Sequence, residues 1–157
     1  MKRLYFVPVL VVLALVGAVV VANARTAGAV AGTTIDVTAH LTKLGLVVDA
    51  KPVGASSSPG DSIYESGVIL SEGKRIGRFG GSCIQLAGGN QQCVFTMGLG
   101  PKGQIIAIAG YGPSMNTSDP LLMAIVGGTG TYEGARGQVE DREVSDTDHK
   151  LRIHLMG

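Results

Sequence analysis

From Thr34 to Met156 the chain repeats one kind of unit, a short β-prone run closed by turn residues, and no stretch sustains a helical period. The first run, "TIDVTAHLT", sets Ile35, Val37, Ala39 and Leu41 against Asp36, Thr38, His40 and Thr42, which is strand alternation. A loop rich in Pro, Gly and Ser follows, "DAKPVGASSSPGD". Then come "SIYESGVIL", "KRIGRFGGSCIQL", "QCVFTMGL", "QIIAIAG", "LLMAIVG", "GQVEDREV" and "KLRIHLM", most of them joined by short connections. About eight such runs predict an all-β domain over residues 34–157, an eight-stranded antiparallel β-barrel, with a two-layer sandwich as the other arrangement.

The two cysteines, Cys83 and Cys93, flank "IQLAGGNQQ", in which Gly88-Gly89-Asn90 is a turn signal between two strands. Centring the hairpin on Gly88 puts the cysteines directly opposite each other. Opposed Cα atoms of an antiparallel pair stand about 4.5 to 5.5 Å apart, within reach of a disulfide. A metal site is disfavoured, because no His or further Cys stands nearby to complete one.

That disulfide fits the N-terminus. Lys2 and Arg3 precede an apolar run from Leu4 to Ala22, and Ala22-Asn23-Ala24 offers small residues at a cleavage position. Residues 1–24 read as a signal peptide of a secreted, extracellular protein, or as an uncleaved anchor that would be its one tie to a membrane. Residues 25–33, "RTAGAVAGT", read as a flexible linker. Beyond the leader, basic side chains number one fewer than the twelve acidic ones and form no cluster, so the chain has no electrostatic footprint for nucleic acid.

The runs "IIAIA" and "LLMAIV" are apolar on both faces. One face meets the barrel interior and the other needs a cover; with no helix in view, a second copy of the chain is the economical one. A homo-oligomer, dimer or trimer, is therefore expected.

The segment "AIVGGTGTYEGARGQV" has the glycine density of a phosphate loop but lacks the lysine and the following helix that such a loop requires. Its glycines read instead as a corner where a strand bends or reverses. "MAIVGGTGTYEGARGQV" resembles the hallmark segment of the allene oxide cyclase barrel and dirigent proteins. Gly60-Asp61 before a strand, "EGKRIG", "GSC" with "CVFTMGL", and "GQIIAIAG" extend the resemblance over most of residues 35–144. Secreted bacterial members are the most similar in motif order. The resemblance implies an eight-stranded barrel with a mostly apolar lumen, often trimeric, that takes a hydrophobic small molecule and needs no metal or organic cofactor. It also implies a functional arginine in the ARG segment, here Arg136. The dirigent His-Asp pair of the first strand is not matched, since Asp36 and His40 are not adjacent.

Among polar residues inside the strands, Glu65 stands out. It shares parity with Ile63 and Ile69, so an inward face would bury a carboxyl among apolar side chains and raise its pKa, as a proton donor needs. Tyr64, on the opposite parity, is its rival. Arg136 either neutralises a ligand anion or braces the glycine corner through backbone carbonyls. Arg136 and Glu65 are the catalytic candidates; Asp36, Tyr64, Thr96 and Tyr132 are the candidate ligand contacts. His149 and His154 fall on opposite faces and do not make a metal pair. The expected function is binding of a small hydrophobic molecule and steering of its cyclisation or coupling; a lipocalin-like carrier and a barrel with a packed lumen are the alternatives.

Overall fold

The computed structural model describes residues 32–47, 58–112 and 118–156. Eight strands form in sequence order: β1 (Thr33–Val47), β2 (Ser62–Ser71), β3 (Lys74–Gln85), β4 (Gln91–Gly98), β5 (Gln104–Tyr111), β6 (Leu121–Gly128), β7 (Arg136–Glu143) and β8 (Asp148–Met156). Each pairs antiparallel with the next, and β8 returns to β1, so the sheet closes into a barrel with no free edge. Closure removes the sandwich alternative. The leader, residues 1–24, and linker residues 25–31 lie outside the described residues; of the linker's last two, Gly32 donates its N–H to Leu155 O and Thr33 already opens β1.

Alternation sorts the side chains. Val37, Ala39, Ile69, Phe95, Met97, Ile105, Ala107, Val139, Leu151 and Ile153 point inward and are buried. Ile69, Met97, Ile105, Val139 and Ile153 are fully buried and fill the waist of the barrel. The outer face stays polar on most strands but not on β4, β5 and β6, where Val94, Leu122 and Val126 are exposed and Ile106 and Ile108 are half-buried. That is the doubly apolar pair of runs seen in the sequence, with its second face uncovered in the single chain.

The turns follow their residues. Cys83 pairs with Cys93 in register, their Cα atoms are 4.0 Å apart, and the disulfide forms. The turn beyond them rests on Gly88 (φ 73°) and Gly89 (φ 78°), a left-handed backbone that glycine adopts without steric cost. Asp61 of the Gly60-Asp61 pair is buried: its carboxylate accepts the Ser58 N–H at 2.7 Å, and its carbonyl accepts the Gln85 N–H. The motif thus ties the entry of β2 to the end of β3.

The strand β1 runs five residues past the expected "TIDVTAHLT", with a bulge between Leu41 and Lys43. The extra residue, Thr42, donates its hydroxyl to Ser66 O. Beyond the bulge Leu44 pairs with Glu65 and Leu46 with Ile63. Those four side chains therefore share the lumen side of a two-stranded lip that rises above the barrel.

The barrel has two unlike ends. At the base lie the β2–β3 turn, the Leu99–Gly103 turn and the glycine corner that links β6 to β7. At the mouth lie the β1–β2 lip, the disulfide hairpin, the end of β5 and the β7–β8 turn.

Candidate functional site

Four ionisable side chains meet inside the mouth, each brought there by strand parity. Glu65 lies on the inward side of β2 with Gly67 and Ile69, and Tyr111 ends the inward row Ile105, Ala107, Ala109 of β5. Asp141 follows Val139 on β7, and His149 precedes Leu151 and Ile153 on β8. His149 Nδ1 lies 2.9 Å from Asp141 Oδ1. Glu65, Asp141 and His149 line one cavity together with Ala39, Leu41, Phe79, Phe95, Met97, Met123 and Leu151.

Their protonation is set by that cavity. Burial holds the Glu65 carboxyl above the usual carboxylate range; the positive charge of His149 works against this and Asp141 adds to it. The bond to Asp141 raises the His149 pKa, burial opposes the rise, and the charges of Asp141, Glu65 and Glu143 reinforce it. The Tyr111 phenol is pushed up to about 12, first by burial and then by Asp141, Glu65 and Glu143. The site thus holds a carboxyl poised to keep its proton, an imidazole held by a carboxylate, and a phenol that stays protonated. With Nδ1–H donated to Asp141, His149 Nε2 is left without a partner among the described residues and can accept a proton.

The walls around this cluster are shaped by two cross-strand pairs. Gly67 faces Phe79, and Gly81 faces Phe95. In each pair the ring lies where a Cβ on the glycine would stand, so both rings lie flat against the barrel wall. Space below the cluster is small: the free volume open to the centre of a water molecule is about 20 Å³, room for roughly one water. Above it stands the lip, with Leu44 63% and Leu46 58% exposed on the lumen side beside Ile63.

The other residues singled out in the sequence lie elsewhere. Tyr64 points outward beside Gly45, with Lys43 Nζ 5.6 Å from its ring centroid. Asp36 is on the outer wall, accepting Arg152 Nε at 2.8 Å, and Thr96 also faces out of the barrel. Tyr132 is buried at the base, where it lines an apolar groove of about 630 Å³ with Ile35, Leu99 and Leu155. Arg136 is at the base too, and its Nη1 donates to Val126 O at 3.2 Å and Ala135 O at 3.3 Å. Of the two roles open to it, the geometry has it bracing the glycine corner, at the opposite end from Glu65. Sequence reasoning singled out neither Tyr111 nor His149 as a site residue, although each shares the parity of an apolar inward row.

Fold and site together define a closed antiparallel barrel with an acid–base cluster at one mouth. The chain matches no protein-family model and no curated protein sequence. Among solved structures it is similar to pyocyanin demethylase, with 26% identity and a TM-score of 0.67 over 79% of this chain and 100% of that one. It is also similar to the pterocarpan synthase dirigent protein GePTS1, at 21% identity and a TM-score of 0.58 over 78% of this chain and 86% of that one. A third is the exo-specific intermolecular Diels-Alderase AbnU, at 17% identity and a TM-score of 0.58 over 80% and 100% of the two chains. The dirigent-like barrel that the sequence motifs resembled is the fold of this protein.

Proposed function

We propose that the barrel binds a hydrophobic small molecule at its mouth and transfers a proton to or from it, with Glu65 as donor and the His149–Asp141 pair as acceptor. The observation that carries this reading is the convergence of Glu65, Asp141 and His149 on one cavity walled by Phe79, Phe95, Met97 and Met123, with Tyr111 near enough to feel the charges of Asp141 and Glu65. An apolar wall with a few convergent polar groups is the usual make-up of a small-molecule site, and a carboxyl beside a carboxylate-held imidazole suits acid–base work. The lip residues Leu44, Leu46 and Ile63 supply an apolar bed for a ligand too large for the space below. Similarity to a demethylase, a dirigent protein and a Diels-Alderase supports a barrel that acts on small organic molecules and makes pyocyanin the first compound to assay.

The small free volume favours a second reading, a barrel packed with side chains whose exterior is its working surface. Native mass spectrometry of the purified protein, followed by conversion assays on the released molecule and on pyocyanin, separates the two. Under the first reading a small molecule travels with the protein, and Glu65→Gln and His149→Gln abolish its conversion. A bare protein that binds and converts nothing leaves the second.

The exposed Val94, Leu122 and Val126, beside Ile106 and Ile108, support self-association through β4, β5 and β6. The Cys83–Cys93 disulfide suits a compartment outside the cytoplasm, and no helix among the described residues is long and apolar enough to cross a membrane. Light scattering on the parent and on Leu122→Glu tests the association: a larger assembly that falls to monomer supports it, and a monomeric parent at high micromolar concentration rejects it.

A further inference from the structure

Among the described residues, carboxyl groups dominate the inner side of the mouth. Glu65, Asp141 and Glu143 all stand on the inward side of their strands, and among the described residues the positive charge they meet there is a proton on His149, already held by Asp141. Glu143 lies at the rim, directly across from His149. Among the described residues no Lys or Arg lines the cavity. The described basic side chains near this end, Lys43, Arg142 and Lys150, belong to the outer wall: Lys43 lies against the outward ring of Tyr64, and Arg142 and Lys150 face each other across β7 and β8. Tyr111 adds a phenol that does not ionise near neutral pH, so it adds no charge but can donate to an oxygen. Above this acidic ring stand the exposed leucines of the lip.

An anionic ligand entering here would be desolvated against three carboxyl groups with no Lys or Arg among the described residues to receive it. A positively charged one would gain from each carboxylate it meets, and an aromatic one would also present its face to Phe79 and Phe95. Resting on the small-molecule reading above, we infer that the ligand class is a hydrophobic, delocalised cation, such as an N-alkylated heteroaromatic ring, bound with its charge at Glu65 and Asp141 and its apolar body on Leu44 and Leu46. A fatty acid or other amphiphilic carboxylate is the class this mouth excludes.

Three dyes of one shape test the charge alone: 10-methylacridinium as the cation, acridine as the neutral ring at pH 8, and 9-anthracenecarboxylate as the anion. Fluorescence titration of the full barrel at pH 8 and low salt is expected to give the cation at least tenfold tighter binding than acridine and no saturable binding of the anion. Glu65→Gln is expected to weaken the cation about fivefold and leave acridine unchanged. Glu143→Gln, at the exposed rim, should give a smaller loss in the same sense without disturbing the buried pair. Leu41→Trp, which narrows the cavity, identifies binding at the mouth. If acridine or the anion binds as tightly as the cation and Leu41→Trp removes it, the charge assignment is overturned while the small-molecule site stands. If the cation binds but none of the three variants changes its affinity, the binding lies elsewhere and the assignment falls. If no dye binds the parent at millimolar concentration, the charge assignment falls and the native mass spectrum alone decides the small-molecule reading.

Discussion

His149 Nδ1 lies 2.9 Å from Asp141 Oδ1 inside the barrel mouth, on adjacent strands and two residues off direct register. The spacing makes the pair a diagonal one, with Glu143 directly opposite His149. Asp141 is the largest cause of the raised His149 pKa. Because the folded value lies above the unfolded value near 6.5, the pair's stabilisation is complete below that pH and is lost as pH rises through the folded value. Asp141→Asn should bring the His149 titration, followed by NMR of the imidazole Cε1 proton, down toward the free value. It should lower stability at pH 6, and do so progressively less as pH rises through the folded value. An unmoved titration would mean that the two side chains do not pair in solution.

Glu65 acts in the same direction by another route. Burial raises its folded pKa above the usual value, so the folded chain holds that proton more tightly and stability falls as pH rises from about 4.5 through the folded value. Glu65→Gln removes the cost of a buried carboxylate. The variant should be more stable than the parent at pH 8, with the gain vanishing near pH 4. Urea midpoints at the two pH values check the sign.

Gly81 faces Phe95 closely enough that a Cβ there would occupy the place of the ring. Gly81→Ala should therefore swing Phe95 away from the wall and into the little space the cavity has. The expected outcome is a loss of about 1 to 3 kcal/mol in stability from overpacking, together with at least a tenfold loss of ligand affinity. Retained affinity in a folded variant would show that the ligand does not reach the level of Phe95.

The Cys83–Cys93 bond closes a loop of sequence separation 10 where β3 and β4 reach the mouth. Replacing both cysteines by serine should cost roughly 2 to 3 kcal/mol by loop-closure entropy, seen as a lower guanidinium midpoint, and the parent should show no free thiol before reduction.

Arg136 offers a contrast with Glu65. Its exposed guanidinium is occupied by the carbonyls of Val126 and Ala135, at the base. Arg136→Ala should cost about 0.5 to 1 kcal/mol and leave ligand affinity and conversion unchanged. A loss of conversion with unchanged stability would return this side chain to the site.

The fold was legible because its determinants are local. Period-two alternation marks each strand, Gly88-Gly89 marks its turn, and the distance of each cysteine from that turn sets the pairing of β3 with β4. The site was legible only in part. Parity joins Glu65 to Ile63 and Ile69, but parity alone does not say which of the two faces points inward; the partner strands decide that, by setting Ala39 opposite Ile69. The bulge at Thr42 then changes the parity of β1, so the lip residues Leu44 and Leu46 continue the inward row Ile35, Val37, Ala39, Leu41 from even positions. No one-strand pattern carries that information. Tyr111 and His149 sit at strand ends, where polar residues ordinarily face water, and only closure of the barrel encloses them. Arg136 was drawn to the site by its motif, yet the glycine corner that holds it is built at the far end.

Since β1 begins and β8 ends at the base, whatever is joined to the barrel ahead of Thr33 or after Met156 attaches on the side away from Glu65 and His149. Tethered to a surface through either terminus, the protein would hold its acidic mouth outward, free for molecules arriving from solution.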